Sequence, residues 1–231
     1  MKHCFSVGIL GLVLLTVAAA QTIPVTGRVA IDQRGKHLRY GTGVVVWLTP
    51  LKRAVEPPKP THEYRLTQKD KQFEPHLLVV PQGSEVQFPN KDPFFHNVFS
   101  LHEGVRFDLG LYESGTSKKV RFSKPGVSFI FCNIHPEMSA VIMVMSTPYY
   151  ATTDESGSYT IADVPPGDYQ LAVWYERASP EQLKQLSRKV NVGSTPVSMD
   201  LLKIAQTPGI AEHHKNKYDM DYEKQPAYKT P

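Results

Sequence analysis

The sequence predicts an all-β protein, and three observations carry that prediction. Nineteen prolines and 15 glycines are spread along 231 residues without a repeating period. Tyr (11) and Phe (10) are plentiful, and the apolar runs are short and rich in Val, as suits strands joined by turns. Only residues 180–189 (PEQLKQLSRK) carry helix signals, with Ser179 as N-cap and Pro180 at the first helical position, so a helical bundle is excluded. The length allows one large or two small domains. With 26 Lys+Arg against 22 Asp+Glu and 21% charged residues, neither a nucleic-acid coat nor a disordered polyelectrolyte is expected.

The chain opens on Lys2 and His3, followed by an apolar stretch from Val7 to Ala20 that ends Ala18-Ala19-Ala20 before Gln21. A basic start, a short apolar run and small residues at the end are the features of a cleaved export signal, expected over residues 1–20. A retained anchor is the alternative. No later segment approaches the roughly 18 apolar residues of a membrane span. The expected mature protein is periplasmic or secreted, without stable membrane insertion. Cleavage would remove Cys4 and leave Cys132 as the only thiol. An unpaired cysteine in an oxidising compartment is tolerated if it is deeply buried, cross-links a dimer or ligates a metal.

Strand signals begin at 22–31 (TIPVTGRVAI) and 43–49 (GVVVWLT). Pro50, Pro57, Pro58 and Pro60 then mark a break into a new unit. Six short strands follow, at 76–80, 84–88, 94–99, 117–122, 127–132 and 140–146, separated by turns such as Pro81-Gln82-Gly83 and Lys124-Pro125-Gly126. Their spacing predicts a sandwich or barrel. After Pro148 the pattern restarts, with strands at 158–161 and 169–175, the helix, and strands at 189–192 and 196–204. From Thr207 the chain is polar and aperiodic, and a flexible tail is expected over 207–231.

The strongest chemical signal is Cys132-Asn133-Ile134-His135-Pro136-Glu137-Met138, at the end of an apolar strand. Thiolate, imidazole and thioether within seven residues make a soft donor set, and His96, 36 residues upstream, supplies a second imidazole. Two His, one Cys and a weak axial Met are the ligands of blue copper. Zinc rarely takes a thioether, so Met138 favours copper. Singly, each residue reads more simply as core: Cys132 as an inert thiol, His96 as a hydrogen-bonded histidine, Met138 as packing. Jointly, they favour metal. His76 and His102 show no ligand spacing and read as surface or core histidines, and His213-His214 as solvated. Asp92, Asp108, Glu85, Glu103 and Glu113 sit near turns and read as solvated carboxylates.

Segments 84–99 (SEVQFPNKDPFFHNVF) and 126–138 (GVSFIFCNIHPEM) resemble cupredoxins of the plastocyanin and amicyanin group. The two-residue spacings from Cys132 to His135 and from His135 to Met138 look most like amicyanin. The resemblance covers roughly 72–146 and implies a Greek-key β-sandwich with one type 1 copper ion. Position by position, it makes His96 and His135 imidazole ligands, Cys132 the equatorial thiolate and Met138 the axial thioether. Asn97 matches the asparagine whose side chain ties the first ligand strand to the Cys loop. Phe94, Phe95, Phe129 and Phe131 are available to make the surround apolar. Electrons would leave through the edge of His135, with Pro136 in the docking patch, to a transient redox partner such as a cytochrome or dehydrogenase.

A second resemblance lies in the flanks. Residues 153–161 (TDESGSYTI) and 164–171 (VPPGDYQL), with 25–29 and 43–48, look like a carboxypeptidase regulatory-like domain, a transthyretin-type β-sandwich. The expected order is a signal peptide at 1–20, first strands of that sandwich at 21–60, the copper domain at 61–147, the rest of the sandwich at 148–206, and the tail. The cupredoxin would then be inserted in, or fused to, the second sandwich. Alternatively, residues 22–50 belong to the cupredoxin sheet. No G-x-S-x-G, H-E-x-x-H or phosphate loop occurs, and a non-enzymatic electron carrier is expected. The competing expectations are copper storage or delivery through the same ligands, and a scaffold or adhesion sandwich without metal.

Overall fold

The structure is a computed structural model that describes residues 22–33, 38–101, 103–207 and 214–222. The expected signal peptide, His102 and His213 lie outside the described residues. Among those residues, no helix is long and apolar enough to cross a membrane.

Among the described residues, the regular structure is strand except for one short helix. Its first part forms β1 (Ile23–Asp32), β2 (Leu38–Arg39) and β3 (Val45–Pro50). The middle forms β4 (Tyr64–Arg65), β5 (Thr67–Lys69), β6 (Gln72–Glu74), β7 (Leu77–Pro81), β8 (Ser84–Pro89) and β9 (His96–Ser100). It continues through β10 (Phe107–Tyr112), β11 (Ser117–Phe122), β12 (Gly126–Cys132) and β13 (Ser139–Met145). The last part forms β14 (Tyr150–Thr152), β15 (Ser158–Val164), β16 (Gly167–Trp174), α1 (Pro180–Leu186), β17 (Arg188–Val192), β18 (Val197–Ser198) and β19 (Leu202–Ala205).

The first and last strands pair with each other. β1 lies between β15 and β18, with β19 and β2 on its second half, while β3 lies between β14 and β16, with β17 beyond. These two sheets enclose a core of Val25, Val46, Leu48, Ile161, Tyr169, Leu171 and Ile204. The middle strands form their own pair of sheets, β10-β9-β12-β13-β7 and β11-β8-β4, with the β5–β6 hairpin alongside. Their core holds Leu66, Val86, Phe88, Val98, Phe122, Ile130 and Ile142. A β-sandwich of the middle strands is thus inserted between the early and late strands of a second one. Residues 22–50 belong to the outer sandwich, not to the inner sheet. At the junction, Leu48 N–H donates to Tyr149 O at 2.8 Å and the Thr147 hydroxyl to Leu48 O at 2.9 Å.

Strand periodicity is clear where one face meets solvent and lost where both faces are covered. In β16, Tyr169, Leu171 and Val173 are buried between half-exposed neighbours. β13 is buried without interruption from Ala140 to Met145. Ala140, Ile142 and Val144 face the inner core, while Val141, Met143 and Met145 face the outer sandwich, where Val45, Trp47 and Trp174 cover them. The unbroken apolar run follows from a sheet packed on both sides.

Three local differences from expectation have physical causes. The helix stops at Leu186 because Arg188 already pairs with Leu171 as the start of β17; its Ser179 cap accepts from Gln182 N–H as expected. The single strand expected at 196–204 is two short ones, β18 and β19, on different stretches of β1. β10 was hidden by a register shift between Asp108 and Leu111 that breaks the alternation, with Gly110 at φ 65°.

Candidate metal centre

β9 and β12 run antiparallel, with Cys132 paired to Val98. Residues 96 and 98 share a face, so His96 and Cys132 look into the same inner core one pair apart. The loop after Cys132 is closed by its own backbone: Cys132 N–H donates to Met138 O at 3.2 Å, and Met138 N–H to His135 O at 3.1 Å. This returns His135 and Met138 to the end of β12.

The structure brings His96, Cys132 and His135 together. Cys132 Sγ lies 3.7 Å from His96 Nδ1 and 3.8 Å from His135 Nδ1, and the two Nδ1 atoms are 3.2 Å apart. Among the described residues, this is the group of His, Cys and carboxylate side chains placed to hold a metal ion. His96, Cys132 and Met138 are fully buried, and His135 is 6% exposed. Met138 shares the apolar cluster of Cys132.

The electrostatics suit a metal thiolate. Burial pushes the Cys132 thiol up, but the backbone N–H groups of Asn97, Ile134 and His135 all face the sulfur and oppose that rise. Burial, and then the neighbouring His96, push His135 down, which keeps its imidazole neutral and able to donate a lone pair. The three N–H donors would compensate a thiolate once a cation displaced its proton.

Asp92 completes the arrangement, and its expected place in solvent is corrected: it is 3% exposed. Its Oδ2 accepts from His96 Nε2 at 2.7 Å, which assigns the ring proton to Nε2 and leaves the Nδ1 lone pair facing Cys132. Burial pushes this carboxyl up, but bonds from His96 and from the Lys71 and Asp70 N–H groups outweigh it and hold the group below its ordinary value. Asp70 and Lys71 form the β5–β6 turn, both at positive φ (55° and 54°), a backbone state costly to non-glycine residues. The carboxylate thus binds the turn and the histidine together. Asn90 holds the carboxylate's own loop, accepting from Asp92 N–H at 3.0 Å and donating to Phe94 O at 2.8 Å. The sequence signal was available in Asn90 and Asp92 just before His96, but turn chemistry explained them equally well.

Asn97 is buried beside the site. Its side-chain amide donates to Asp108 Oδ1 at 2.7 Å, and the link to sulfur runs through its backbone N–H. Asp108 is exposed, as expected of a carboxylate near a turn, but it is engaged, since it also accepts from Lys217 Nζ at 2.8 Å. Among the phenylalanines, Phe94 packs on both histidines, at 5.2 Å from His96 and 5.6 Å from His135 between ring centroids. Phe95 is exposed, and Phe129 and Phe131 lie on the opposite face of the sheet, away from the sulfur. Pro136 is exposed beside His135.

Part of the expected tail also meets the site. Tyr222 OH donates to Cys132 O at 2.8 Å, Lys217 N–H donates to Asn133 Oδ1 at 3.0 Å, and His214 stacks on Phe131 with ring centroids 4.1 Å apart. No apolar period announces this segment. His76 makes no part of the cluster; its Nε2 meets Glu176 at 2.6 Å between the two sandwiches.

No family model matches the chain, and no curated protein matches it. Solved structures with a similar fold include a Cu-containing nitrite reductase (NirK) from Thermus scotoductus SA-01, at 24% identity and a TM-score of 0.36, over 43% of this chain and 26% of that one. A purple cupredoxin from Nitrosopumilus maritimus is similar at 21% identity and a TM-score of 0.33, over 36% of this chain and 99% of that one. A reduced Cu(I) form of an amicyanin mutant is similar at 16% identity and a TM-score of 0.35, over 43% and 98%. The chain spans about a quarter of the nitrite reductase, and these likenesses concern fold alone.

Proposed function

We propose that the chain binds one copper ion and carries electrons by cycling it between Cu(I) and Cu(II). The observation that supports this most is the convergence of the His96, Cys132 and His135 ligand atoms within 4.8 Å of one another, all three residues being buried. In this reading, those three are equatorial ligands, Met138 is the axial thioether, and residues 61–147 form the copper domain. Copper would supply the one-electron couple. The protein's part is to fix the donors before metal arrives: Asp92 orients His96, the closed loop presents His135 and Met138, and three N–H groups await the thiolate. A preset donor set keeps nuclear rearrangement small during electron transfer.

The outer sandwich, in this reading, is a regulatory-like carrier domain of an exported protein. A cytochrome or dehydrogenase docks at His135 and Pro136. The same ligands with labile metal would serve copper storage or delivery instead.

The test is a visible absorption spectrum during titration with Cu(II) under oxidising conditions. An intense thiolate-to-copper band saturating at one equivalent, and lost in Cys132→Ser, is expected. A colourless protein with its fold intact would sink the electron-carrier reading.

A further inference from the structure

Residues 214–222 approach the site from outside both sandwiches, and we propose that they form a retention strap that pins the Cys132–Met138 loop and slows metal exchange. The inference rests on the copper reading above. The ligands are buried, with His135 the most exposed at 6%, so metal can leave only if the loop carrying His135 and Met138 moves. The strap is fastened to the root of that loop. Tyr222 OH bonds the carbonyl of Cys132 itself, and Lys217 N–H bonds the side chain of Asn133.

Lys217 also reaches the other ligand strand. Its ammonium bonds Asp108 Oδ2, whose Oδ1 accepts from Asn97, the residue next to His96. One lysine, through Asp108, therefore ties the residue after Cys132 to the residue after His96.

The strap has the mechanics of a detachable part. It is held in shape by itself: Asn216 Oδ1 accepts from the Tyr218 and Met220 N–H groups, and Asn216 N–H donates to Met220 O. A preformed turn loses less entropy on docking than a free chain. None of its residues is fully buried, so its detachment need not open either core. Strap docked, the loop is fixed and metal is retained; strap displaced, the loop opens and metal exchanges.

The experiment compares the full chain with Tyr222→Phe, Lys217→Met, Lys217→Arg and a chain ending at Thr207. Copper-loaded proteins are mixed with excess Cu(I) chelator under reducing conditions, and the rate of metal loss is followed. Loss is expected to be about tenfold faster or more in the shortened chain and in Lys217→Met. Tyr222→Phe is expected to lie between, and Lys217→Arg to restore slow release. Metal-free proteins supply an independent readout: the Cys132 and Met138 amides should lose hydrogen-exchange protection without the strap, while Val46 and Leu171 in the outer core keep theirs. Unchanged release and unchanged exchange would overturn the strap while leaving the copper reading intact. A full chain that takes up no copper would overturn both. Tyr222→Phe removes one hydroxyl, so it tests the strap even if the shortened chain fails to fold.

Discussion

Asp92 and His96 are joined at 2.7 Å between carboxylate Oδ2 and ring Nε2, and both are buried. This bond decides which face of the imidazole looks at Cys132. If the site takes copper as proposed, Asp92→Asn is expected to lower copper affinity by about 10–100-fold. It should also raise the reduction potential, because a negative charge that favours Cu(II) has gone. Competition titration and spectroelectrochemistry measure the two effects. Unchanged affinity and potential would make Asp92 merely a stitch for the β5–β6 turn.

Met138 is fully buried in the inner core, so its packing and ligand roles can be separated. Met138→Leu keeps the volume and should change metal-free stability by less than about 1.5 kcal/mol. Met138→Ala should cost about 2–5 kcal/mol in denaturant unfolding of the metal-free protein. If Met138 is the axial ligand, Met138→Leu nevertheless shifts the visible spectrum and raises the potential. An unshifted spectrum would return it to the core.

His76 carries a pH dependence. Its bond to Glu176 is the main influence and raises its pKa above the usual histidine value, against the opposing effect of burial. A raised folded-state value means that the stabilisation is fully present below the unfolded value of about 6.5 and is lost as pH rises through the folded value. Full-chain stability should therefore fall, relative to His76→Gln, between mildly acidic and mildly alkaline pH. His76 is half exposed, though Glu176 is less so, and the difference is therefore small and weakens with salt. Parallel curves for the two proteins would remove the pair from the account.

Gly157, in the turn before β15, has φ +72°, and a Cβ there would meet the carbonyl of Val29 and the ring of Tyr40. Gly157→Ala should destabilise the fold by at least about 1–2 kcal/mol, through the left-handed backbone alone. Chemical denaturation measures it. Gly115, also at positive φ but with open space around it, makes the comparison that isolates the clash.

How much of this was legible depended on range. Ser179 and Pro180 announced α1 because a helix cap is a contact among neighbours. The cluster of His96, Cys132 and His135 was legible because one loop carries Cys132 and His135 and the soft donor set lacked only a second imidazole. Asp92 was not, since a carboxylate beside Pro93 reads as turn chemistry until a hairpin turn 21 and 22 residues earlier is seen to bond it. Lys217 and Tyr222 were less visible still. They dock through hydrogen bonds to backbone and polar groups, which leave no apolar period behind.

The outer sandwich is made from both ends of the chain, and its seam lies where Leu48 meets Thr147 and Tyr149. Closing that seam over an open coil costs loop entropy, growing slowly with loop length, that a folded insert would reduce. An insert that condenses first would bring those ends together, so the inner unit is expected to gain hydrogen-exchange protection before the outer sheets in a pulse-labelled refolding experiment. In that order Val141, Met143 and Met145, which Val45, Trp47 and Trp174 cover in the folded protein, would stay uncovered until β3 and β16 arrive. A chain interrupted before β16 would hold a formed donor set on a sticky, half-clothed sheet.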